Sequence, residues 1–359
     1  MEMALRLARW GLGKTAPNPS VGCVLVKDEK VVGRGWTGYG GRPHAEQIAI
    51  ERAGKQTIDA TAYITLEPCA HQGVTPPCVD TIIEAGISKA VIAVMDPDPR
   101  VSGRGIKKLE TAGINVVTGV CADQALELNA GFFAKTTEER PFVTIKVAST
   151  ADGFIATRNG DSKWITSPKS REWGHLLRSE NDAVLVGIGT VLSDNPSLTV
   201  RLPGLYNTSP IRIVLDNNLR TPLGSKLVSS AKEVPTWLLT TKDLNSLAHR
   251  KMYEQSGVEI VSLGKVPSGQ LGITNIFKVL AKRGVTRLLV EGGSKVTGSF
   301  LRSQLVDEIY WFRSGKILGE NNISAVAELG IKDLANAPRF ILKERKLIVD
   351  ETLEVYKRK

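Results

Sequence analysis

The tightest constraint on this chain comes from His44, Cys69 and Cys78, with Glu46 two places after the histidine. One imidazole and two thiols are groups that zinc takes readily, and a catalytic zinc keeps its fourth position for water. If the three share one ion, the fold must bring separate segments to a single point. These are a glycine-rich loop (Gly38 to Pro43) ahead of His44, the run Glu67-Pro68-Cys69, and the run Pro76-Pro77-Cys78. Glu46 then falls beside the metal as a proton shuttle. The plainer reading is that free cysteines are small buried hydrophobes. A closed structural zinc would need a fourth ligand, for which His71 and Cys23 are the nearby candidates. An open three-ligand site next to a carboxylate fits chemistry better than scaffolding.

Hydrophobic patterning around these residues alternates between strand and helix. Met1 to Trp10 reads as an amphipathic helix, and Val21 to Lys27 with Val31 to Trp36 reads as a hairpin turning at Asp28-Glu29-Lys30. His44 opens a helix running to Ala53, whose N-terminus would present N–H groups and positive partial charge beside the metal. Thr61 to Leu66 is a strand. Pro76-Pro77 opens a helix, where a missing N–H costs little, and Cys78 in its first turn gains thiolate character. Further strands are expected at Lys89 to Met95 and Ile114 to Val117, with helices at Gly105 to Ala112 and Asp123 to Lys135. The sum is a three-layer α/β/α domain with its ligands at a strand-end cleft.

The polar run Thr136 to Pro141 marks a boundary, giving domains at 1–140 and 141–359. In the second half, strands are expected at Phe142 to Ala148, Ala183 to Val186, Ile211 to Leu215, Thr236 to Leu239, Val258 to Ser262, Arg287 to Glu291, 308–313 and 338–349. Helices are expected at Ser170 to Leu177, Ile276 to Lys282 and Gly298 to Arg302. This is a second α/β domain. Its glycine clusters, Val186 to Thr190 and Glu291 to Ser294, each end a buried strand and open a helix, where backbone N–H groups meet phosphate oxygens. Neither is a complete dinucleotide fingerprint, and glycine also serves tight turns. Two such clusters in one domain favour a nucleotide cofactor.

Charge narrows the partners. Residues 1–140 carry 16 Lys and Arg against 16 Asp and Glu, so the net +10 of the chain lies wholly in the second half. A nucleic-acid deaminase would place basic charge around its zinc; here phosphorylated small molecules are the expected partners, with no nucleic acid. No apolar run approaches a membrane span, and the first residues lack a signal-peptide layout. Four cysteines, two of them assigned to metal, make no disulfide framework. Cys23 and Cys121 are expected reduced and buried, in a soluble cytoplasmic protein. His175 and His249 have no partner pattern and are expected to face solvent.

The order His-x-Glu, then Pro-Cys, then Cys is that of zinc deaminases, with an unusually long loop from Ala70 to Pro77. Asn18-Pro19-Ser20-Val21-Gly22-Cys23, His44-Ala45-Glu46, the Glu67 to Cys78 segment, Asp96-Pro97-Asp98-Pro99 and Gly103-Arg104-Gly105 resemble the deaminase half of the bifunctional riboflavin-biosynthesis deaminase/reductases. Ser149 to Gly153, Asp161 to Thr166, Gly187 to Arg201 and Glu291-Gly292-Gly293 resemble the reductase half. The resemblance covers nearly the whole chain. It implies a cytidine-deaminase-like domain followed by a dihydrofolate-reductase-like one, one zinc ion, NADPH, a phosphorylated pyrimidine substrate and a homo-oligomer.

The same resemblance implies roles. Glu46 would carry protons, Asn18 would hold the substrate, and His71 would either line that pocket or cap the loop. NADPH would meet Ala148, Trp164, Thr190, Asp194, Asn217, Gly293, Ser294, Lys295, Val296, Thr297, Gly298 and Ser299. The second substrate would meet Ser162, Arg178, Leu198, Arg201 and Glu291; guanidinium groups suit its phosphate. Trp164 offers a flat face, though an aromatic there can also be core. Lys146 would polarise the sugar oxygen, or else be a strand lysine with a buried stem. Two departures stand out. Val74 occupies a place where the family has a cation, for which Arg42, Arg100 or Arg104 could compensate, and Ala151 replaces a leucine. Two other readings compete: a zinc deaminase of another base, which predicts basic charge near the zinc, and a metal-stabilised RNA-binding module. The module needs interleaved aromatics, and aromatics are only 6% of the chain.

Overall fold

The computed structural model describes residues 1–73, 76–241, 250–263 and 272–359; Val74 and His249 lie outside them. The chain divides into two compact units, Met1–Arg140 and Pro141–Lys359. No helix among the described residues is long and apolar enough to cross a membrane.

In the first unit the elements run α1 (Glu2–Arg9), β1 (Gly22–Lys27), β2 (Lys30–Trp36), α2 (Ala45–Ala53), β3 (Thr61–Ile64), α3 (Cys78–Glu84), β4 (Lys89–Ile92), α4 (Arg104–Thr111), β5 (Asn115–Thr118), α5 (Ala122–Leu128) and α6 (Ala130–Glu138). The sheet order is β2-β1-β3-β4-β5. β1 is antiparallel to both its neighbours, while β3, β4 and β5 are parallel. Side chains alternate across the pleat. Cys23 and Leu25 enter a core with Ala49, Ile82 and Leu109, whereas Val24 packs with Ala4 and Leu7 on the opposite face. The single helix expected over Asp123 to Lys135 is two helices. Asn129 interrupts it: its side-chain oxygen accepts from the Ser20 N–H at 2.9 Å and its amide donates to the Ser20 carbonyl at 3.0 Å.

The second unit continues with β6 (Phe142–Ser149), β7 (Phe154–Ala156), α7 (Pro168–Ser179), β8 (Ala183–Gly187), α8 (Ile188–Asp194), β9 (Ile211–Leu215), α9 (Lys226–Ser229), β10 (Thr236–Thr240), α10 (Arg250–Gln255), β11 (Val258–Ser262), α11 (Ile273–Lys282), β12 (Arg287–Val290), α12 (Ser294–Arg302), β13 (Glu308–Arg313), β14 (Ile323–Ser324), β15 (Phe340–Ile348) and β16 (Glu351–Arg358). Nine strands form one sheet in the order β11-β10-β9-β8-β12-β6-β13-β16-β15. It is parallel from β11 to β13, then antiparallel through β16 and β15. Both faces are covered, as parallel sheets require. Ile145, Leu185 and Leu288 point to one core, while Val184, Val186 and Leu289 point to the other.

Two expectations are corrected here. α12 begins at Ser294, not Gly298, because its first turn has no apolar periodicity to betray it. The strand expected over 338–349 is one arm of a hairpin that turns at Val349, with φ +59°, and returns as β16. Adjacent β8 and β12 end at the same edge, so the two glycine clusters are neighbours. Both press on Val296: a Cβ on Gly187 would lie 2.7 Å from its Cγ2, and one on Gly292 would lie 2.5 Å from its Cβ. Close packing therefore requires these two glycines, whatever they bind.

Two candidate active sites

Backbone geometry delivers the three metal-ligand candidates from three directions. His44 is the N-cap of α2, its own N–H donating to Gln47 Oε1 at 3.3 Å. Cys69 follows β3 beyond Glu67-Pro68, and Cys78 is the first residue of α3. His44 Nδ1 lies 3.0 Å from Cys78 Sγ and 3.7 Å from Cys69 Sγ, and the Cys78 N–H donates to Cys69 Sγ at 3.3 Å. All three ligand atoms lie within 4.8 Å of one another. One nitrogen and two sulfurs at that spacing suit a tetrahedral zinc with one position left for water. Among the described residues neither His71 nor Cys23 joins the group, so no closed four-ligand site forms there.

The electrostatics divide the two thiols: the bond to Cys69 and burial push the Cys78 thiol up, against the thiolate character expected of it from its place in the first turn. The neighbouring Cys78 thiol pulls the Cys69 thiol down to about 4, with burial opposing and His44 assisting. Its bond to Cys69 raises the His44 imidazole against the effect of burial. Glu46 is only 4% exposed, and burial pushes its carboxyl up against the pull of His44.

Asn18, Arg42, Glu46, His71, Asp96, Asp98 and Arg100 line the same cavity as His44 and Cys69. The Asn18 amide donates to the Gly41 carbonyl at 3.4 Å. The buried His71 Nδ1 has no hydrogen-bond partner among the described residues, which does not favour a loop cap. Sequence reasoning missed two features. Asp98 grips Arg100 through Nε at 3.0 Å and Nη2 at 2.5 Å, fixing that guanidinium at the cavity wall. Glu67 spends both oxygens on four backbone N–H groups, those of Asp96, Gly103, Gly105 and Ile106, at 3.0 to 3.2 Å.

In the second unit Lys146, Ala148, Ser162, Trp164, Thr190, Asp194, Glu291, Gly293 and Thr297 line one cleft. Burial pushes the Lys146 ammonium down, against the charge of Glu291. Glu291 takes a fork from Arg178. Trp164 is 62% exposed rather than core. Arg171 lies 4.3 Å from its ring centroid, and the Lys316 ammonium donates to its carbonyl.

The structure does not gather every expected contact at this cleft. The Asn217 side-chain oxygen accepts from the Thr241 N–H at 3.2 Å and from its hydroxyl, and Asn217 is not part of the lining. Leu198 has its side chain in the core at 3% exposure, with φ +53°, leaving only backbone to face a ligand. Along α12, Ser294, Lys295, Val296, Gly298 and Ser299 stand off the lining. Val296 packs on the glycines, Gly298 faces Ala327, and the Ser299 hydroxyl donates back to the Lys295 carbonyl. Arg178 and Arg201 also stand off the lining and converge instead on Thr199, through its carbonyl and its hydroxyl respectively. His175 was expected in solvent. It is half-buried and bonded to this same segment.

Known proteins match this arrangement from end to end. Residues 1–94 match the cytidine and deoxycytidylate deaminase zinc-binding region, and residues 141–351 match the RibD C-terminal domain. A riboflavin biosynthesis protein RibD of Aquifex aeolicus is 42% identical over 358 residues, covering 100% of this chain and 97% of its own. That of Escherichia coli is 38% identical, covering 96% and 94%. Among solved structures, RibD of Acinetobacter baumannii superposes with a TM-score of 0.89 at 33% identity, covering 100% of this chain and 98% of its own. A Thermotoga maritima diaminohydroxyphosphoribosylaminopyrimidine deaminase/5-amino-6-(5-phosphoribosylamino)uracil reductase superposes with a TM-score of 0.88 at 37% identity, covering 100% and 97%.

Proposed function

The chain belongs to the RibD family of bifunctional riboflavin-biosynthesis enzymes, and from that premise we propose how its residues divide the work. It deaminates 2,5-diamino-6-(5-phosphoribosylamino)pyrimidin-4(3H)-one, and then reduces the ribosyl chain to give 5-amino-6-(5-phosphoribitylamino)uracil. His44 Nδ1, Cys69 Sγ and Cys78 Sγ would hold one zinc ion, which when bound supplies Lewis-acid activation of water. A Glu46 carboxylate oxygen would take the two protons of the attacking water in turn, passing one to the ring nitrogen and the other to the departing amine. Asn18 orients the pyrimidine through its amide, and His71 offers a polar edge on the same wall.

In the reductase cleft NADPH supplies the hydride. Ala148, Trp164, Thr190, Asp194, Gly293 and Thr297, which line the cleft, hold it. Lys146, which lines the cleft with Glu291, would polarise the sugar oxygen during hydride transfer. Ser162, Arg178, Arg201 and the backbone of Leu198 hold the phosphorylated ribose.

The observation that carries the first reaction is the meeting of one nitrogen and two sulfurs beside the buried Glu46. Replacing Glu46 by Gln is expected to abolish ammonia release and leave NADPH oxidation with deaminated substrate intact. Loss of both activities in a folded variant would overturn the two-site division.

The chain also self-associates on this reading. Supporting it, β15 is the margin of the nine-stranded sheet and leaves Ile341, Leu342 and Leu347 in solvent, a margin that sheets normally cover. Sedimentation velocity tests it, and a monomer at micromolar concentration would end it. Four free cysteines favour a reducing compartment such as the cytoplasm.

A further inference from the structure

His175 lies on α7 one turn before Arg178, and its Nδ1 faces two backbone groups of the segment that carries Arg201. The Thr199 carbonyl is 3.0 Å from Nδ1, and the Arg201 N–H is 3.3 Å from it. Both directions satisfy hydrogen-bond geometry, yet one ring nitrogen is either donor or acceptor. With its proton on Nδ1 the ring donates to Thr199, and the Arg201 N–H then has no acceptor among the described residues. With its proton on Nε2, Nδ1 accepts from Arg201. The Thr199 carbonyl is still served in that form, because Arg178 Nη1 donates to it at 3.1 Å. Only the second arrangement leaves both backbone groups with a protein partner.

We propose that His175 is a positioning residue of the reductase: its neutral, Nε2-protonated ring holds the Arg201 backbone, and so aims the Arg201 guanidinium beside Arg178 at a phosphomonoester. Protonation of the ring gives Nδ1 a hydrogen that faces the Arg201 N–H, and that backbone bond is lost. The charged groups facing the ring are Arg178 on the same helix, Arg201 on the held segment and Glu291 at the end of β12. Burial and the two guanidinium groups hold the imidazole below its ordinary range and outweigh the Thr199 carbonyl and Glu291, which favour the charged ring, so the neutral form is favoured at physiological pH. The proposal rests on the reading above that Arg178 and Arg201 hold the substrate phosphate.

The test uses the full chain, with NADPH and the deaminated phosphorylated substrate. His175→Leu removes the acceptor and is expected to raise KM for that substrate about tenfold, the scale of one hydrogen bond. It should leave kcat and the KM for NADPH within about twofold, with inorganic phosphate a weaker competitive inhibitor. His175→Asn places an amide oxygen near the former Nδ1 but cannot titrate. It is expected to restore KM at neutral pH and to flatten the rise in KM expected of the parent enzyme as pH falls through the histidine range, leaving only the part due to the substrate phosphate, which titrates at about pH 6 in both. An unchanged KM in His175→Leu would overturn the proposal, and so would an acid limb in His175→Asn as steep as the parent's. The KM for NADPH, together with the circular dichroism spectrum, reports on the integrity of the reductase unit in each variant. If His175→Leu does not fold, the pH profile of His175→Asn decides. Failure of the parent enzyme to oxidise NADPH with this substrate would instead defeat the assignment of the reductase cleft.

Discussion

The Arg178 guanidinium closes a two-pronged ion pair on Glu291, with Nε 2.5 Å from one carboxylate oxygen and Nη2 2.9 Å from the other. Each side chain is nearly buried, at 14% and 9% exposure. The pair joins α7 to the end of β12, where the cofactor cleft opens. Burial pushes the Glu291 carboxyl up, but the charge and fork of Arg178 outweigh it, and the net shift is downward. A carboxylate with a folded pKa below its unfolded value of about 4.3 stabilises the fold above that value. The contribution is lost as pH falls through the folded pKa. Glu291→Gln is therefore expected to be less stable by up to about 3 kcal/mol at neutral pH, the lower end for a broken buried pair. The difference should shrink as pH falls below the ordinary carboxylate range. Denaturant titrations across that range measure it, and a gap independent of pH would contradict the pairing.

Removing one thiol separates the two catalytic centres by metal content. Cys78→Ser is expected to purify with far less than one equivalent of zinc and to lose ammonia release, while NADPH oxidation with the deaminated substrate continues. Elemental analysis beside the two assays checks this. Full metal occupancy in the variant would remove Cys78 from the ligand set.

Gly41 tests how the deaminase cavity holds Asn18. It has φ +86°, and an added Cβ would lie 2.0 Å from Asn18 Nδ2 and 2.6 Å from its Cγ. Gly41→Ala therefore strains the backbone by about 1–2 kcal/mol and expels the amide. The expected outcome is a raised KM for deamination with little change in the reductase. An unaltered KM would mean that Asn18 does not orient the pyrimidine.

Arg212 is a fully buried cation with no carboxylate bonded to its guanidinium among the described residues. Its Nη groups donate to the carbonyls of Ser197, Leu227, Ser230 and Val234 and to the Ser230 hydroxyl, at 2.7 to 3.2 Å. Burial holds it down at about 10. Arg212→Met strands several buried acceptors, each worth roughly 1–3 kcal/mol, and is expected to lower the melting temperature far more than Arg220→Met at an exposed position. Arg212→Lys, lacking the fork, should recover little. Differential scanning calorimetry decides between these outcomes, and equal melting temperatures for the two Met variants would refute the bracing role.

Chemistry carried by residue type and by local signals was legible in the sequence. His44, Cys69 and Cys78 could be grouped because few side chains bind zinc, and the segments around them carry their own loop and helix-start signals. The hydrophobic runs of β8, β9 and β11 gave strands close to those observed. Long-range partnership was not legible. Glu291 and Arg178 stand 113 positions apart, and neither neighbourhood advertises the other. The same holds for His175, a lone histidine whose partner is a backbone carrying no sequence signal. Leu198 and Asn217 show the converse limit. Leu198 falls in a motif shared with the family and the resemblance implies a cofactor contact for Asn217, yet one side chain is drawn into the core and the other into a bond with Thr241. Asn129 broke a helix through a bond to Ser20 that no periodicity could reveal.

Glu67 has a consequence for how the deaminase tolerates change. Its carboxylate is a staple joining the end of a strand to the amides of Gly103, Gly105 and Ile106, none of which lines the cavity. The sulfur of Cys69, two residues on, thus inherits its place from main chain far downstream. Drift in that remote stretch would be felt at the metal before it was felt anywhere else.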